Sequence, residues 1–368
     1  MSNILIVGAG ISGATIANKF ANNGDNVLVV DKRGHIAGNC HDYVDKNGIL
    51  THTYGPHIFH TQNEDVWSFL TQFTIFNTYM HKVAAIIEGI PTFIPFSLKS
   101  LYQVFPHTLA ERLEKKLLEK FQYNQKVPIM EFQKQDDEDL KFLAKYVYDN
   151  VFANYTAKQW GLKLDELDPS VGARVPVYIS QDERYFQDKY QGMPIGGYTK
   201  MFEKMLDHKN IKVQLNTDFK DITGEFDKTI YTGSIDEYFS YKHSELPYRS
   251  VNFKQEDYDF EFYQQEAAVI NYPNNYDFTR VEEHKHFYKY KSVEKTTIFK
   301  EYSEDFVNGK NERFYPIQNE KNQQIYNKYL DEAVKLKNVY FLGRLGDYKY
   351  YNMDMCVARA LEKFEEIK

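Results

Sequence analysis

The chain has 368 residues, enough for two or three domains with a sizeable core, and its 42% apolar and 26% charged residues are ordinary for a globular protein. A net charge of −7 offers no general attraction to nucleic acid or anionic membranes, and no stretch approaches the roughly 18 apolar residues of a membrane span, so neither partner is expected. Two cysteines, Cys40 and Cys356, make no disulfide framework, and a reducing, cytoplasmic setting is the simplest expectation. The apolar start reads as a first strand rather than a signal peptide.

That strand, Ile4-Leu5-Ile6-Val7, runs into Gly8-Ala9-Gly10-Ile11-Ser12-Gly13, a helical stretch to Asn22, and a second apolar run, Val27-Leu28-Val29-Val30, that ends in Asp31. The order strand, glycine turn, helix, strand, acid is that of a dinucleotide-binding βαβ unit. Gly8 permits the tight turn, Gly10 lets backbone approach a pyrophosphate, and Gly13 lets helix and strand pack closely. Ser12 lies in the same turn, and the helix N-terminus offers unpaired N–H groups to phosphate. Asp31 suits a ribose diol and would repel a 2′-phosphate. The segment Asp31-Lys32-Arg33-Gly34-His35-Ile36-Ala37-Gly38-Asn39 continues into a second glycine turn. It resembles the extended fingerprint of FAD enzymes in the amine-oxidase-like superfamily, with Arg33 as a cation near phosphate and Gly38 as a point of close backbone approach. Lys32 and Asn39 belong to the same candidate cofactor loop.

Further along, Thr108 to Phe121 carries Leu109, Leu113, Leu117 and Phe121 on one stripe and reads as an amphipathic helix, as does Asp139 to Val151. A turn at Pro194-Ile195-Gly196-Gly197 precedes a helix over Tyr198 to Leu206. Strand patterns follow at Ile211–Leu215, Lys228–Tyr231, Ala267–Ile270 and Lys295–Phe299. Val339-Tyr340-Phe341-Leu342 reads as a late buried strand, Gly343 to Gly346 as a turn, and Met353 to Glu366 as a helix. The late strand and helix are expected to return to the N-terminal unit, which is too small to cover a doubly wound sheet by itself.

Several longer motifs fall into one order. They are Tyr54-Gly55-Pro56-His57-Ile58-Phe59-His60-Thr61, Asn154-Tyr155-Thr156-Ala157-Lys158-Gln159-Trp160-Gly161, Arg184-Tyr185-Phe186 with Tyr190 to Tyr198, and Gly343-Arg344-Leu345-Gly346 with Tyr348-Lys349-Tyr350-Tyr351. Together they resemble the bacterial UDP-galactopyranose mutases along nearly the whole chain. The resemblance implies an α/β fold with an FAD-binding Rossmann-like βαβ domain, an inserted helical bundle and an antiparallel β-sheet domain. The corresponding segments are 1–80 with 190–235 and 335–368 for the discontinuous FAD domain, 100–165 for the bundle, and 81–99 with 236–330 for the sheet. It implies an isomerase that interconverts UDP-galactopyranose and UDP-galactofuranose through a covalent reduced-flavin N5–sugar adduct, with no net redox change. An external reductant such as NAD(P)H and a homodimer are implied with it, the product feeding cell-surface polysaccharide.

The chain holds only nine arginines, so each invites a role, since a planar fork suits phosphate as lysine does not. Arg174, in Gly172-Ala173-Arg174-Val175-Pro176, and Arg280 match the family's diphosphate arginines, which would retain the departing UDP. Tyr155 and Trp160 match residues beside the uracil and sugar, Tyr185, Tyr315 and Tyr350 match tyrosines near the diphosphate, and Glu301 matches a glutamate near the active site. From the residues alone, His57 and His60 are compatible with metal ligation, a flavin neighbour or a satisfied core histidine. No further Cys/His cluster accompanies them, so no metal is expected. By resemblance His60 neighbours the flavin near N5, and His57, counted with the cofactor residues, is structural or one step removed from the ring. Arg344 would face the FAD pyrophosphate, and Tyr350, Asn352 and Met353 would border the flavin at the N-terminus of the last helix. Where many family members carry an aspartate, this chain has Asn352, with Asp354 two residues on. The alternative reading is a flavin amine oxidase-like oxidoreductase, which has no use for paired diphosphate arginines; a flavin-free prenyl-binding carrier of the same fold is a third.

Overall fold

The computed structural model describes residues 1–163, 166, 176–259, 263–290 and 293–368. Its first apolar run forms the strand Asn3–Val7, the centre of a five-stranded parallel sheet. The strand order is Ile211–Gln214, Asn26–Val30, Asn3–Val7, Lys228–Tyr231, Val339–Phe341. Ile6 lies opposite Val29 on one side and Ile230 on the other, and all three are buried. Continuous apolar runs, rather than alternating ones, are what a parallel strand covered on both faces requires. The helices Ile11–Asn22, Tyr198–Leu206 and Met353–Ile367 provide cover. Phe20 meets Phe364 edge to face at 5.1 Å, and Asn18 Nδ2 donates to the carbonyl of Met205 at 2.9 Å.

The chain divides into two compact units. The first comprises Met1–Tyr79, Asp188–Tyr248 and Arg313–Lys368, and the second Met80–Gln187 and Arg249–Glu312. The discontinuous first unit thus leaves at Tyr79, runs on to Tyr248 and resumes at Arg313, beyond the 190–235 and 335–368 drawn from the sequence. The helical stretch, expected at 100–165 as a domain of its own, lies with the sheet in the second unit.

That unit contains the helices His107–Lys120, Glu138–Val147 and Asn154–Trp160. The helix expected over Asp139 to Val151 widens at Tyr148–Ala153 and resumes as Asn154–Trp160, where Gly161 ends it in the left-handed region at φ 67°. The sheet runs in the order Tyr248–Tyr258, Thr296–Asp305, Arg280–Glu283, Val269–Asn271, Val83–Ile87, Ile90–Ile94. Neighbours are antiparallel except Val269–Asn271 against Val83–Ile87, which are parallel. Glu88 and Gly89, both at positive φ, form the two-residue turn of the hairpin between the last two strands.

The first glycine turn is packed backbone against backbone. Gly8 sits at φ +106°, and a Cβ on Gly13 would lie 1.9 Å from the carbonyl oxygen of Gly8. No side chain can move to relieve that contact. Gly13→Ala is therefore expected to lower stability by about 1–3 kcal/mol, read as a reduced midpoint in thermal unfolding. A variant within about 0.5 kcal/mol of the parent would contradict the packing argument.

Candidate functional site

In the first unit, the helix Ile11–Asn22 starts at Gly10, which holds extended backbone and contributes no side-chain cap. The helix therefore presents uncapped N–H groups and the positive end of its dipole. Gly10 and Gly38 meet without side chains: a Cβ on Gly38 would lie 2.9 Å from Gly10 Cα. Ser12 is buried and hydrogen-bonds with Cys356. Burial pushes the Cys356 and Cys40 thiols up, so both stay protonated. Asp31 ties the turn to the exit of the second strand. Its Oδ2 accepts from the Ala9 N–H at 2.8 Å and its Oδ1 from the Arg33 N–H at 2.9 Å. Each oxygen has a further lone pair to offer a ribose diol.

The following loop closes on itself. Arg33 Nη1 donates to Asn39 Oδ1 at 2.9 Å, and its guanidinium lies 4.6 Å from the centre of the Tyr54 ring. His35 Nε2 and the Tyr54 hydroxyl are 2.8 Å apart, and the His35 ring lies 4.0 Å from that of His41. Burial, with His35 and Arg33 nearby, pulls His41 down to about 4, which keeps it neutral. Lys32 is exposed. A bare glycine cradle under a helix N-terminus, an acid at the strand end and a cation in the loop suit the pyrophosphate and ribose of a dinucleotide.

The histidines separate in role. His57 Nδ1 lies 2.8 Å from the Gly55 carbonyl and its N–H donates to His52 Nδ1, a local turn. His60 lies on the strand Phe59–Thr61, and its Nδ1 is 2.8 Å from Asp188 Oδ2. A carboxylate at Nδ1 selects the tautomer protonated there and leaves Nε2 as the acceptor. Neighbouring Thr61 donates to Asp354 Oδ2 at 3.0 Å, which fixes the acid in the first turn of the helix Met353–Ile367 behind its N-cap, Asn352. Cys40 Sγ donates to Met353 Sδ at 3.6 Å. Gly343 to Gly346, expected as a turn, is one short helical turn. Arg344, expected to face a pyrophosphate, uses its fork on carbonyls: Nε and Nη2 donate to Tyr351 at 3.1 and 2.6 Å, and Nη1 to Phe314 at 3.3 Å. Its guanidinium lies over Tyr315 and Tyr350, so those two predicted tyrosines are brought together at 5.1 Å between ring centres.

In the second unit, Arg280 opens the strand Arg280–Glu283 directly opposite Glu301. Its Nε donates to Glu301 Oε2 at 2.9 Å and lies 3.0 Å from Glu282 Oε1. Thr279 Oγ1 donates to Glu301 Oε1 at 2.9 Å. Glu301 is 1% exposed, while the Arg280 side chain keeps 18% of its surface in contact with solvent. Tyr155 and Trp160 share the helix Asn154–Trp160. Trp160 is nearly fully buried and anchors that helix, which leaves half-buried Tyr155 as the more open aromatic face. Lys158, between them, donates to the carbonyls of Tyr272, Tyr276 and Phe278, in the segment just before Arg280. Burial pulls the Lys158 ammonium down to about 8. Tyr185 donates its N–H to the His81 carbonyl at 2.8 Å and its ring meets those of His81 and Phe186 edge on. Arg174 lies outside the described residues. Among the described residues, no group of three or more His, Cys, Asp or Glu could hold a metal ion, and no helix is long and apolar enough to cross a membrane.

A family model described as UDP-galactopyranose mutase matches residues 150–350, and one described as an NAD(P)-binding Rossmann-like domain matches residues 6–73. A probable UDP-galactopyranose mutase of Klebsiella pneumoniae is 37% identical over 99% of this chain and 94% of its own length. The chain belongs to the UDP-galactopyranose mutase family. It is an enzyme of that family. A dTDP-fucopyranose mutase of Escherichia coli is 34% identical over 98% of this chain and 97% of its own length. Among solved structures, a reduced UDP-galactopyranose mutase superposes with a TM-score of 0.75 at 16% identity, covering 100% of this chain and 95% of that one, which establishes the common fold.

Within the family frame, several residues that the sequence did not single out support those it did. Asp188 holds His60, Tyr54 and His35 flank Arg33, and Glu282 joins Glu301 at Arg280. Glu282 had a readable signal, since it lies two residues after Arg280 and alternation in a strand puts both on one face. Lys158 lay inside a quoted motif, but nothing local indicates carbonyls more than a hundred residues away. Lys158→Met is expected to cost about 1–3 kcal/mol, because it leaves carbonyl groups without their donor. Equilibrium denaturation reads this; a change of less than about 0.5 kcal/mol would show that solvent replaces the ammonium at no cost.

Proposed function

We propose that this chain is a flavin-dependent isomerase that interconverts UDP-galactopyranose and UDP-galactofuranose without net redox change, with reduced FAD as its cofactor. The observation that carries the reading is Arg280, a guanidinium held by buried Glu301 yet itself partly exposed. A diphosphate that leaves with extra charge and must stay nearby requires such a cation. Arg174 would be its second cation. The flavin, when bound and reduced, supplies a nucleophilic ring nitrogen for the anomeric carbon. This chain's residues do the rest: they bind, orient and retain. The glycine turn and the helix starting at Ile11 would take the pyrophosphate of FAD, and Asp31 its ribose. The N-terminus of the helix Met353–Ile367 would favour a negatively charged flavin ring. His60, oriented by Asp188, would present Nε2 beside that ring, and His57 would line its approach. Tyr155, with Trp160 behind it, would stack on uracil, while the Tyr185, Tyr315 and Tyr350 hydroxyls would donate to phosphate without adding charge. A nicotinamide reductant, a homodimer and a cytoplasmic location complete the proposal. Amine oxidation, the alternative reading, has no use for Arg280 as a diphosphate cation.

A second substrate has one observation in its favour. The dTDP-fucopyranose mutase relative covers this chain almost as fully, and at nearly the same identity, as the UDP-galactopyranose mutase relative.

The test begins with the purified protein, whose released chromophore should be FAD by chromatography. After reduction, UDP-galactofuranose should convert to UDP-galactopyranose faster than the dTDP-fucose pair interconverts. Arg280→Ala should lose about 2 kcal/mol or more of transition-state stabilisation, roughly thirtyfold in kcat/KM. No conversion with reduced flavin would overturn the reaction, faster conversion of the dTDP sugar would replace the substrate, and near-normal turnover in Arg280→Ala would remove the clamp.

A further inference from the structure

Arg280 lies beside two carboxylates, not one. Glu282 follows on the same face of the strand, and Glu301 stands opposite on the neighbouring strand. Behind them, His284 Nε2 lies 3.3 Å from Glu282 Oε2. The His284 ring is stacked against Phe287 at 5.2 Å and Phe299 at 5.1 Å, which fixes its plane. Glu282 and His284 are fully buried, and the residues paired with Glu282 on the adjoining strands, Val269 and Phe299, are apolar. Among the described residues, the charged or titratable groups facing Glu282 are Arg280 on its own strand, Glu301 across the sheet and His284 beyond the strand end.

Two features of this cluster require a proton. The one permanent positive charge, on Arg280, cannot neutralise two buried carboxylates without a further proton in the cluster, and a surplus negative charge beside Arg280 would oppose any diphosphate brought to it. The Glu282 and Glu301 carboxyls are close enough to act on each other, with Glu301 favouring the ionised form of Glu282, so the two titrate as a pair that shares a proton. Oε1 of Glu282 is close to Arg280 Nε but has no aligned hydrogen-bond donor, as expected of an oxygen not stabilised as a full anion.

We propose that Glu282 and His284 are positioning residues for Arg280: the Glu282–Glu301 carboxyl pair carries one proton between its two members, His284 holds Glu282 from behind, and the guanidinium stays charged and available to a nucleoside diphosphate sugar. The inference rests on the reading of Arg280 as the diphosphate cation. Burial pushes the Glu282 carboxyl up to about 7 and Glu301 upward as well, with Arg280 working against both. Below that point the carboxyl pair keeps one proton and the cluster is balanced; above it both carboxyls are ionised and compete with the diphosphate. Ligand affinity should therefore fall as pH rises through about 7.

The test is isothermal titration of UDP-galactose into the whole protein with its bound flavin left oxidised, from pH 6 to pH 8.5. The diphosphate of this sugar ester does not titrate in that range. In the parent, affinity should fall about tenfold, the effect of one added charge nearby. Glu282→Gln, a neutral mimic of the protonated acid, should bind within about threefold of the parent at pH 6 and change less than about twofold across the range. His284→Phe keeps the ring stack but removes the imidazole nitrogen at Glu282 Oε2, so the pH at which affinity falls should move. A parent with no fall, a Glu282→Gln variant that keeps the parental slope, or a fall unmoved in His284→Phe would each overturn the inference. Arg280→Ala tests the underlying reading separately: undiminished affinity would sink the diphosphate role itself. Weakened binding in that variant, alongside an unchanged Glu282→Gln slope, would sink only the proton-holding role.

Discussion

A guanidinium fixed against buried carboxylate is the interaction around which the second unit is arranged. Burying Glu301 without a partner would cost several kcal/mol, and burying Arg280 fully with it would remove both charges from solvent. The structure resolves this by dividing the work. Glu301 is sealed and receives Thr279 as well as Arg280, whereas the arginine retains part of its surface. The strand pairing makes the arrangement rigid, since Arg280 and Glu301 are register partners and no loop motion is needed to bring them together. Lys158 then ties the segment leading into Arg280 to the helix that carries Tyr155, so aromatic and cation are set by one framework within that unit.

The first unit solves a different problem. A dinucleotide cradle needs backbone exposed to phosphate, so side chains must be absent where two chain segments cross. Gly10 and Gly38 meet at such a crossing, and Gly13 lets the helix descend onto Gly8. Asp31 is held in place by two backbone N–H donors, one from the turn and one from the loop beyond it. The same carboxylate thus stabilises the turn and remains an acceptor, which explains why an acid serves there better than a neutral side chain: its two oxygens supply both needs.

Much of this was legible because the signals are local. The strand Lys228–Tyr231 and the helix Tyr198–Leu206 have the bounds their apolar periodicity suggests, and the dinucleotide unit follows from glycine spacing and the acid after it. What was not legible depends on distant partners. The strand Tyr248–Tyr258 is polar over most of its length, because its outer half is largely exposed and held by main-chain pairing to Thr296–Asp305. The Glu88-Gly89 turn between Val83–Ile87 and Ile90–Ile94 is, by contrast, a local signal that the sequence does carry. The partnership of His60 with Asp188 spans 128 residues, and that of Thr61 with Asp354 spans 293, distances over which no periodicity carries information.

Scarcity of arginine does not by itself say what each one holds. A planar fork suits phosphate, but it suits converging carbonyl groups equally well. Arg344 spends its donors on Tyr351 and Phe314, and Arg249 reaches the carbonyls of Gln159 and Lys158 together with Asp305. Arg313 is buried on Glu237 and Tyr241. These arginines anchor chain segments, which a flexible ammonium does less well because it cannot hold several acceptors in one plane. Arg280 differs in the burial of its acceptors: Glu282 and Glu301 are sealed carboxylates, whereas Asp305 and Glu237 keep contact with solvent, and sealed carboxylates add negative charge that must be balanced. That imbalance, not the rarity of the residue, is the physical mark that sets Arg280 apart from Arg249 and Arg313.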